Sequence, residues 1–253
     1  MSTDTLRRSE TRARLWTATT VASREVLRDP VLLGLLAFLP VYFIGLWGWI
    51  LPQDPVQAEI ATAEGTSTVT TDFVSLMLAL VGPVTGALLV GIAGLFIVQR
   101  SRGIDERLRV VGYWGPEILV ARFVLLAGVT AVVVLISLAV TVVRVVPEHV
   151  GWFLFALLLA AGTYGATGVL IGLFLDRMAG VYLLLFAPML DILLLGMPLG
   201  EPPSWSRWLP GHHAAELALS AFLAESVAIS HGLWGVAVVA IFAVLSVLVS
   251  VWR

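Results

Sequence analysis

Long apolar runs dominate this chain and decide what it can fold into. The first run, VLLGLLAFLPVYFIGLWGWIL at 31–51, contains no charged residue. A helix needs about 20 mostly apolar residues to cross the hydrocarbon core of a bilayer. Similar runs follow at 73–98, 116–146, 152–175, 178–199 and 233–252. The sequence therefore predicts an all-α integral membrane protein, a single domain over 1–253 with six transmembrane helices.

Composition supports this class and excludes several kinds of chemistry. Charged residues make up 13% of the chain, about half of the roughly 25% found in soluble domains. The chain contains no cysteine and no lysine. Thiolate nucleophiles, cysteine-based metal sites, Schiff bases and a P-loop lysine are therefore excluded. Any dependence on ATP must come from a partner.

The positions of the arginines predict the orientation of the chain. Six arginines precede the first span, and five lie between the second and third spans or just inside the third. Arg177 and Arg253 lie on the same side, whereas Arg144 and Arg207 lie on the other. Because arginine-rich loops stay in the cytoplasm, we expect a multi-pass protein of the cell membrane with both termini cytoplasmic. This orientation accounts for the arginines, so nucleic-acid binding is not expected.

Residues 11–29, TRARLWTATTVASREVLRD, have the pattern of an amphipathic helix on the inner membrane surface. Its small and apolar residues share one stripe, and Arg24 and Arg28 lie opposite. Pro30 cannot continue the hydrogen-bond ladder, so the chain is expected to bend there into the bilayer. A disordered basic tail is the alternative to this elbow helix.

A second amphipathic pattern lies in the cytoplasmic loop between the second and third spans. Apolar residues recur at Ile104, Leu108 and Val111, which is helical spacing. Asp105 and Arg109 are four apart, in the order that favours a helix ion pair. The pattern predicts a short helix suited to docking on a soluble partner. A solvated charged loop is the alternative.

The outer segment between the fifth and sixth spans is too polar and too rich in proline to cross the membrane. It carries Trp205 and Trp208, which are typical of a membrane interface. The stretch HHAAELALSAFL at 212–223 has helix-forming composition, with Leu217 and Leu223 available for burial. We expect a helix that lies on the outer leaflet or dips into it.

These features, in this order, resemble the membrane permease subunit of ABC transporters of the type-2 export family. The matching stretches are REVLRDPVLL at 24–33, DERLRVVGYWGPEILVAR at 105–122 and PSWSRWLPGHHAAELALSAF at 203–222. The resemblance covers essentially the whole chain. It implies an N-terminal elbow helix, a cytoplasmic coupling helix, and outer re-entrant or interfacial helices between spans five and six. At the outer end of the fifth span, FAPMLDILLLGMPL at 186–199 departs from the family pattern.

The resemblance implies a function as well as a layout. The chain would export a small hydrophobic or amphipathic molecule or a lipid, powered by a separate soluble ABC ATPase subunit that binds ATP and Mg. A second permease copy or a sister permease would complete the pathway within the membrane lipid. The chain would bind no cofactor itself and would not be an enzyme. The ATPase-coupling residues would be Ile104, Asp105, Glu106, Arg107, Leu108 and Arg109.

Asp191 is the candidate residue for the substrate pathway. It lies 14 positions past Arg177, about 21 Å along a helix, and therefore in the outer half of the fifth span. An ionisable group at this depth normally faces a cavity or an opposite charge. Pairing with Arg144 and snorkelling to the surface are the alternatives.

No catalytic or metal site is predicted. His212, His213 and Glu216 share a helix face at a spacing seen in metal sites, but a metal site usually needs at least three ligands and a fixed surrounding. Exposed polar positions are therefore the favoured interpretation. His149 and His231 are expected in separate outer loops.

Two GxxxG spacings, Gly82 with Gly86 and Gly168 with Gly172, mark close helix packing. Contacts within the chain are favoured over a dimer interface for either pair.

Two other functions stay open. An ion-coupled carrier acting without an ATPase would usually carry several charges near the midplane, whereas Asp191 is nearly solitary. An intramembrane enzyme is disfavoured because GATG at 165–168 has no serine nucleophile and HHAAE is not the HExxH zinc motif.

Overall fold

The computed structural model describes residues 30–100, 115–198 and 204–252, and these are mostly helical. The helices are α1 (Pro30–Ile50), α2 (Phe73–Arg100), α3 (Gly115–Arg144), α4 (Val150–Phe174), α5 (Arg177–Pro188), α6 (His212–Leu223) and α7 (Ile229–Trp252). A π-helical segment, Met189–Leu194, continues α5, and a 3-10 turn covers Ser206–Trp208. The predicted elbow helix at 11–29 and the coupling residues 104–109 lie outside the described residues.

A helix occupies each of the six segments predicted as spans. Five of these helices are long and apolar enough to cross a membrane: Phe73–Arg100, Leu119–Arg144, Val150–Phe174, Arg177–Leu194 and Ile229–Val249. In α1, the apolar range is Leu36–Ile50, which is shorter than the other five. Five such helices are compatible with a multi-pass membrane protein.

Helix α2 lies at the centre of the bundle, and its main neighbour is α4. The most apolar window of α2 is 89% buried, whereas that of α7 is only 17% buried. Glycines allow the two central backbones to approach. A Cβ atom added at Gly168 would collide with the Gly91 carbonyl, and one added at Gly86 would lie 3.6 Å from Ala161 Cβ. Both GxxxG pairs therefore pack α2 against α4 within the chain, as expected.

The loop between α1 and α2, predicted as the first outer loop, forms an antiparallel hairpin that was not predicted. Strand β1 (Pro55–Thr62) pairs with β2 (Gly65–Asp72). Gly65 takes a φ of +127° at the turn, which only glycine adopts readily. On β1, Ala58 and Ile60 are fully buried where the strand packs against α6. The hairpin thus covers part of the outer end of the bundle.

Pro188 explains why α5 changes into a π-helix. Proline has no N–H to donate to the carbonyl four residues earlier, and its ring disturbs that turn. After it the hydrogen bonds widen, and Leu195 donates to the Leu190 carbonyl five residues back at 3.0 Å. Short π-helical turns inside α-helices often occur at functional positions. Here the wider turn contains Asp191.

Candidate functional site

Asp191 lies inside the protein, at the junction of three structural elements. Its side chain is only 4% exposed. The Tyr164 hydroxyl of α4 donates a hydrogen bond to Asp191 Oδ2 at 2.6 Å, and the Gly211 backbone N–H donates to the same oxygen at 2.5 Å. The carboxyl group therefore joins the π-helical segment, α4 and the residue that precedes α6.

The absence of a side chain at Gly211 lets its backbone approach the Asp191 carboxyl group closely. A Cβ atom built there would lie 2.6 Å from Asp191 Oδ2 and 2.5 Å from Ile192 Cγ1. Both distances are shorter than any that a real side chain tolerates. In the Pro210-Gly211 turn, the backbone that precedes α6 thus contacts the Asp191 carboxyl group directly.

The structure assigns Asp191 different partners from those considered in the sequence analysis. Asp191 neither pairs with Arg144 nor reaches the surface. Arg144 instead donates from Nε to the Gly48 carbonyl of α1 at 3.1 Å, and its Nη2 contacts the same oxygen. Asp191 Oδ1 is buried and has no hydrogen-bond partner among the described residues.

The outer helix α6 is buried rather than lying free on a surface. Its buried residues are Ala214, Ala215, Leu217, Ala218, Leu219, Ser220, Ala221 and Phe222. Its last carbonyls, which lack partners within the helix, accept hydrogen bonds from the start of α4. The backbone N–H of His149 donates to the Ala221 carbonyl at 2.9 Å, and the backbone N–H of Glu148 donates to the Phe222 carbonyl at 3.3 Å. The bundle therefore holds α6 at both ends.

Glu216 does not share the environment of the neighbouring histidines. It turns towards β1, where its carboxyl group is hydrogen bonded to the Ala61 backbone. Burial raises the pKa of Glu216 from 4.5 to about 7, and the Ala61 contact opposes part of this rise. His212, His213 and Glu216 were expected to share one helix face. In the structure, Glu216 therefore lies in a different environment from the two histidines.

His231 joins the other two histidines instead, contrary to its expected place in a separate loop. His213 Nδ1 and His231 Nδ1 are 3.1 Å apart. Burial, together with the neighbouring His213, His231 and Arg207, lowers the pKa of His212 to about 4. Burial and His231 also lower the pKa of His213. The His212 and His213 rings are therefore neutral at pH 7.

The end of α2 contacts the junction between α4 and α5. The Gln99 side chain at the end of α2 donates to the Leu175 carbonyl after α4 at 3.1 Å. The Arg177 guanidinium at the start of α5 stacks over the Phe96 ring at 4.5 Å. Asp176 caps α5 by accepting from the Ala179 N–H at 2.7 Å. The end of α2 is thus joined by side-chain contacts to the end of α4 and the start of α5.

Two residues of this site were missed in the sequence analysis. Tyr164 lies in the small-residue run GTYGATG, where a buried tyrosine usually needs a partner for its hydroxyl. That rule could have singled it out. Gly211 offered no comparable signal, because its role depends on a contact 20 residues away.

The arrangement holds the start of α6 against α4 and the π-helical segment. No protein-family model and no curated protein matches this chain.

Proposed function

We propose that this chain is the permease subunit of an ATP-driven ABC transporter of the type-2 export family. It would lie in the cell membrane with six spans and with both termini in the cytoplasm. A soluble ATPase subunit would bind ATP and Mg, and a second permease copy or a sister permease would complete the pathway. The order of the helices supports this proposal, since the 12-residue helix α6 stands between the apolar helical range Arg177–Leu194 and α7.

The observation that carries the proposal is the way in which α6 is held. Asp191 contacts its N-terminal side, and the backbone of Glu148 and His149 caps its C-terminal end. A solvated loop would need neither contact. A buried helix with both ends fixed to the spans fits the outer helices that this family places between spans five and six.

The inner contacts are consistent with coupling to an ATPase. The proposed coupling residues, Ile104 to Arg109, follow the α2 end within the same loop. Gln99 and Phe96 join that end to Leu175 and Arg177. A push on the loop would therefore move α2, and through these two contacts the junction of α4 and α5. This is how ATP binding below the membrane would reach the spans.

The outer parts of the chain favour a small substrate over a polymer. The first outer loop is a single hairpin of two eight-residue strands, and the third, between the fifth and sixth proposed spans, contains the short helix α6. Neither is a large outer domain. We therefore propose a small hydrophobic or amphipathic molecule or a lipid as the substrate, with Asp191 on or beside its pathway.

One observation favours a second candidate, an ion-coupled carrier that acts without an ATPase. Asp191 is buried in the outer half of a span, and its Oδ1 has no hydrogen-bond partner among the described residues. A carboxyl group in that setting is a typical ion or proton site in carriers. Dependence of transport on an ion gradient, without an ATPase, would favour this candidate.

A pull-down from native membranes tests the proposal. The tagged chain is purified in mild detergent, with and without crosslinking, and co-purifying proteins are identified. We expect a stoichiometric soluble protein with a Walker A loop, whose ATPase activity changes when this chain is bound. A preparation without any ATPase, even after crosslinking, would contradict the proposal.

A further inference from the structure

Three histidines from two helices meet at the outer end of the bundle. His212 and His213 begin α6, and His231 lies in the first turn of α7. Each ring offers one nitrogen, and these nitrogens all lie within 4.8 Å of one another. Within the described ranges, no other group of three or more histidine or acidic side chains meets this criterion.

The separation between the rings of His213 and His231 suits a shared metal ion. His213 Nδ1 and His231 Nδ1 are 3.1 Å apart, and two nitrogens bound to a tetrahedral Zn²⁺ at about 2.0–2.1 Å lie about 3.3 Å apart. A proton shared between two rings would give a similar distance. The position of a third ring favours the metal ion over a hydrogen bond between two rings. The centroid of the His212 ring lies 5.3 Å from that of His213 and 5.9 Å from that of His231. A hydrogen bond between two rings gives no reason for this third ring.

The surroundings hold the rings and leave one side open. Trp234 stacks on His213 with an interplanar angle of 20° and a centroid distance of 6.1 Å. The three histidines are half-buried, so an ion can reach them. Arg207 is the nearby cation, and its Nε donates to the Ser204 carbonyl at 2.9 Å. Its charge would favour an anion, such as hydroxide or chloride, as a further ligand.

We infer that His212, His213 and His231 form a binding site for one divalent transition-metal ion such as Zn²⁺. Imidazole suits Zn²⁺, Cu²⁺ and Ni²⁺, and three protein ligands leave a fourth position open. The ligands come from both sides of the loop at 224–228. A bound ion would therefore clamp the start of α6 to the start of α7, and so fasten the outer helix to the last span.

Calorimetric titration with Zn²⁺ tests this inference on the full chain, purified in detergent without a polyhistidine tag. We expect one ion per chain. His213→Gln and His231→Gln should each weaken Zn²⁺ binding by at least about 100-fold. Losing a residue that only orients a metal ligand already lowers metal affinity 10–100-fold. His149→Gln is the matched control, because this outer histidine contacts the Glu225 carbonyl at 3.0 Å instead. It should bind as the wild type does.

A second measurement does not depend on whether the variants fold. Zn²⁺ should raise the melting temperature of the wild-type protein, and a chelator should reverse the rise, because an ion that binds only the folded state stabilises it. Cu²⁺ should quench Trp234 fluorescence, and Trp234→Phe should remove that part of the quenching. A wild-type protein that neither binds Zn²⁺ nor is stabilised by it overturns the inference. So does His231→Gln binding with unchanged affinity.

Discussion

The Tyr164 hydroxyl donates a 2.6 Å hydrogen bond to Asp191, a residue 27 positions further along the chain. Both side chains are buried, so neither can exchange its partner for water. Hydrogen bonds are strong in such surroundings, and leaving one unmade is costly. This contact, together with that of Gly211, fixes the start of α6 relative to α4 and the π-helical segment.

Tyr164→Phe should therefore destabilise the protein by about 1–3 kcal/mol, because the buried Asp191 carboxyl group loses one of its two hydrogen-bond donors. Asp191→Ala should cost more, because it leaves both the Tyr164 hydroxyl and the Gly211 N–H unpaired. The measurement is the melting temperature in detergent. Tyr182→Phe is the control, since Tyr182 is 61% exposed, and it should have little effect. Equal melting temperatures for Tyr164→Phe and the wild type would contradict this role.

Asp191→Asn separates the structural role from a role in transport. The amide oxygen of asparagine still accepts a hydrogen bond, so the loss of stability should be smaller than for alanine. If Asp191 also contacts the substrate, Asp191→Asn lowers transport while the protein stays folded. Unchanged transport would restrict Asp191 to holding the outer helix.

The contact between α2 and α4 predicts opposite results at two glycines. Gly168→Ala should lower the melting temperature markedly, because the added methyl group meets the Gly91 carbonyl and overpacking costs typically about 1–3 kcal/mol. Gly128→Ala is the matched control, since nothing lies within 4 Å of its Cβ position. It should leave stability unchanged or slightly higher. Similar losses at both glycines would contradict the close approach of these helices.

Glu216 predicts how stability depends on pH. Its pKa is raised from 4.5 to about 7 in the folded protein, so the folded state holds this proton more tightly than the unfolded state does. Its contribution is therefore complete below pH 4.5 and is lost as pH rises to about 7. Glu216→Gln should remove this loss, and its melting temperature relative to wild type should be higher at pH 7.5 than at pH 4.5. A pH-independent difference would contradict the burial of this carboxyl group.

The coupling role predicts the effect of charge reversal in the cytoplasmic loop. Arg107→Glu combined with Arg109→Glu should lower transport and the stimulation of the ATPase, because it reverses the charge of the surface proposed to dock. Membrane insertion should be unchanged. Reversal of Arg7 and Arg8, which precede the predicted elbow, is the control. Unchanged transport in the Arg107 and Arg109 variant would contradict the coupling role.

Local patterns were sufficient to place the helices of the six long apolar segments. A run such as 152–175 is apolar along its whole length, and α4 covers Val150–Phe174. The hydrophobic stretches at 31–51 and 233–252 likewise coincide with α1 and with most of α7. These features depend on residues close together in the chain, because a continuous apolar stretch of sufficient length is enough to predict a membrane-spanning helix. The small residues at Gly86 and Gly168 also indicated close packing.

The tertiary structure alone decided which distant residues meet. Asp191 has its partners 27 residues before it and 20 residues after it, and His213 meets His231 across 18 residues. In the hairpin, Ala58 and Ile60 are buried because β1 packs against α6, which lies far away in the sequence. Hydropathy indicates where a residue lies along an apolar helix, but not which residue of another helix its side chain contacts. That depends on how helices rotate and approach, and so on contacts between segments far apart in sequence.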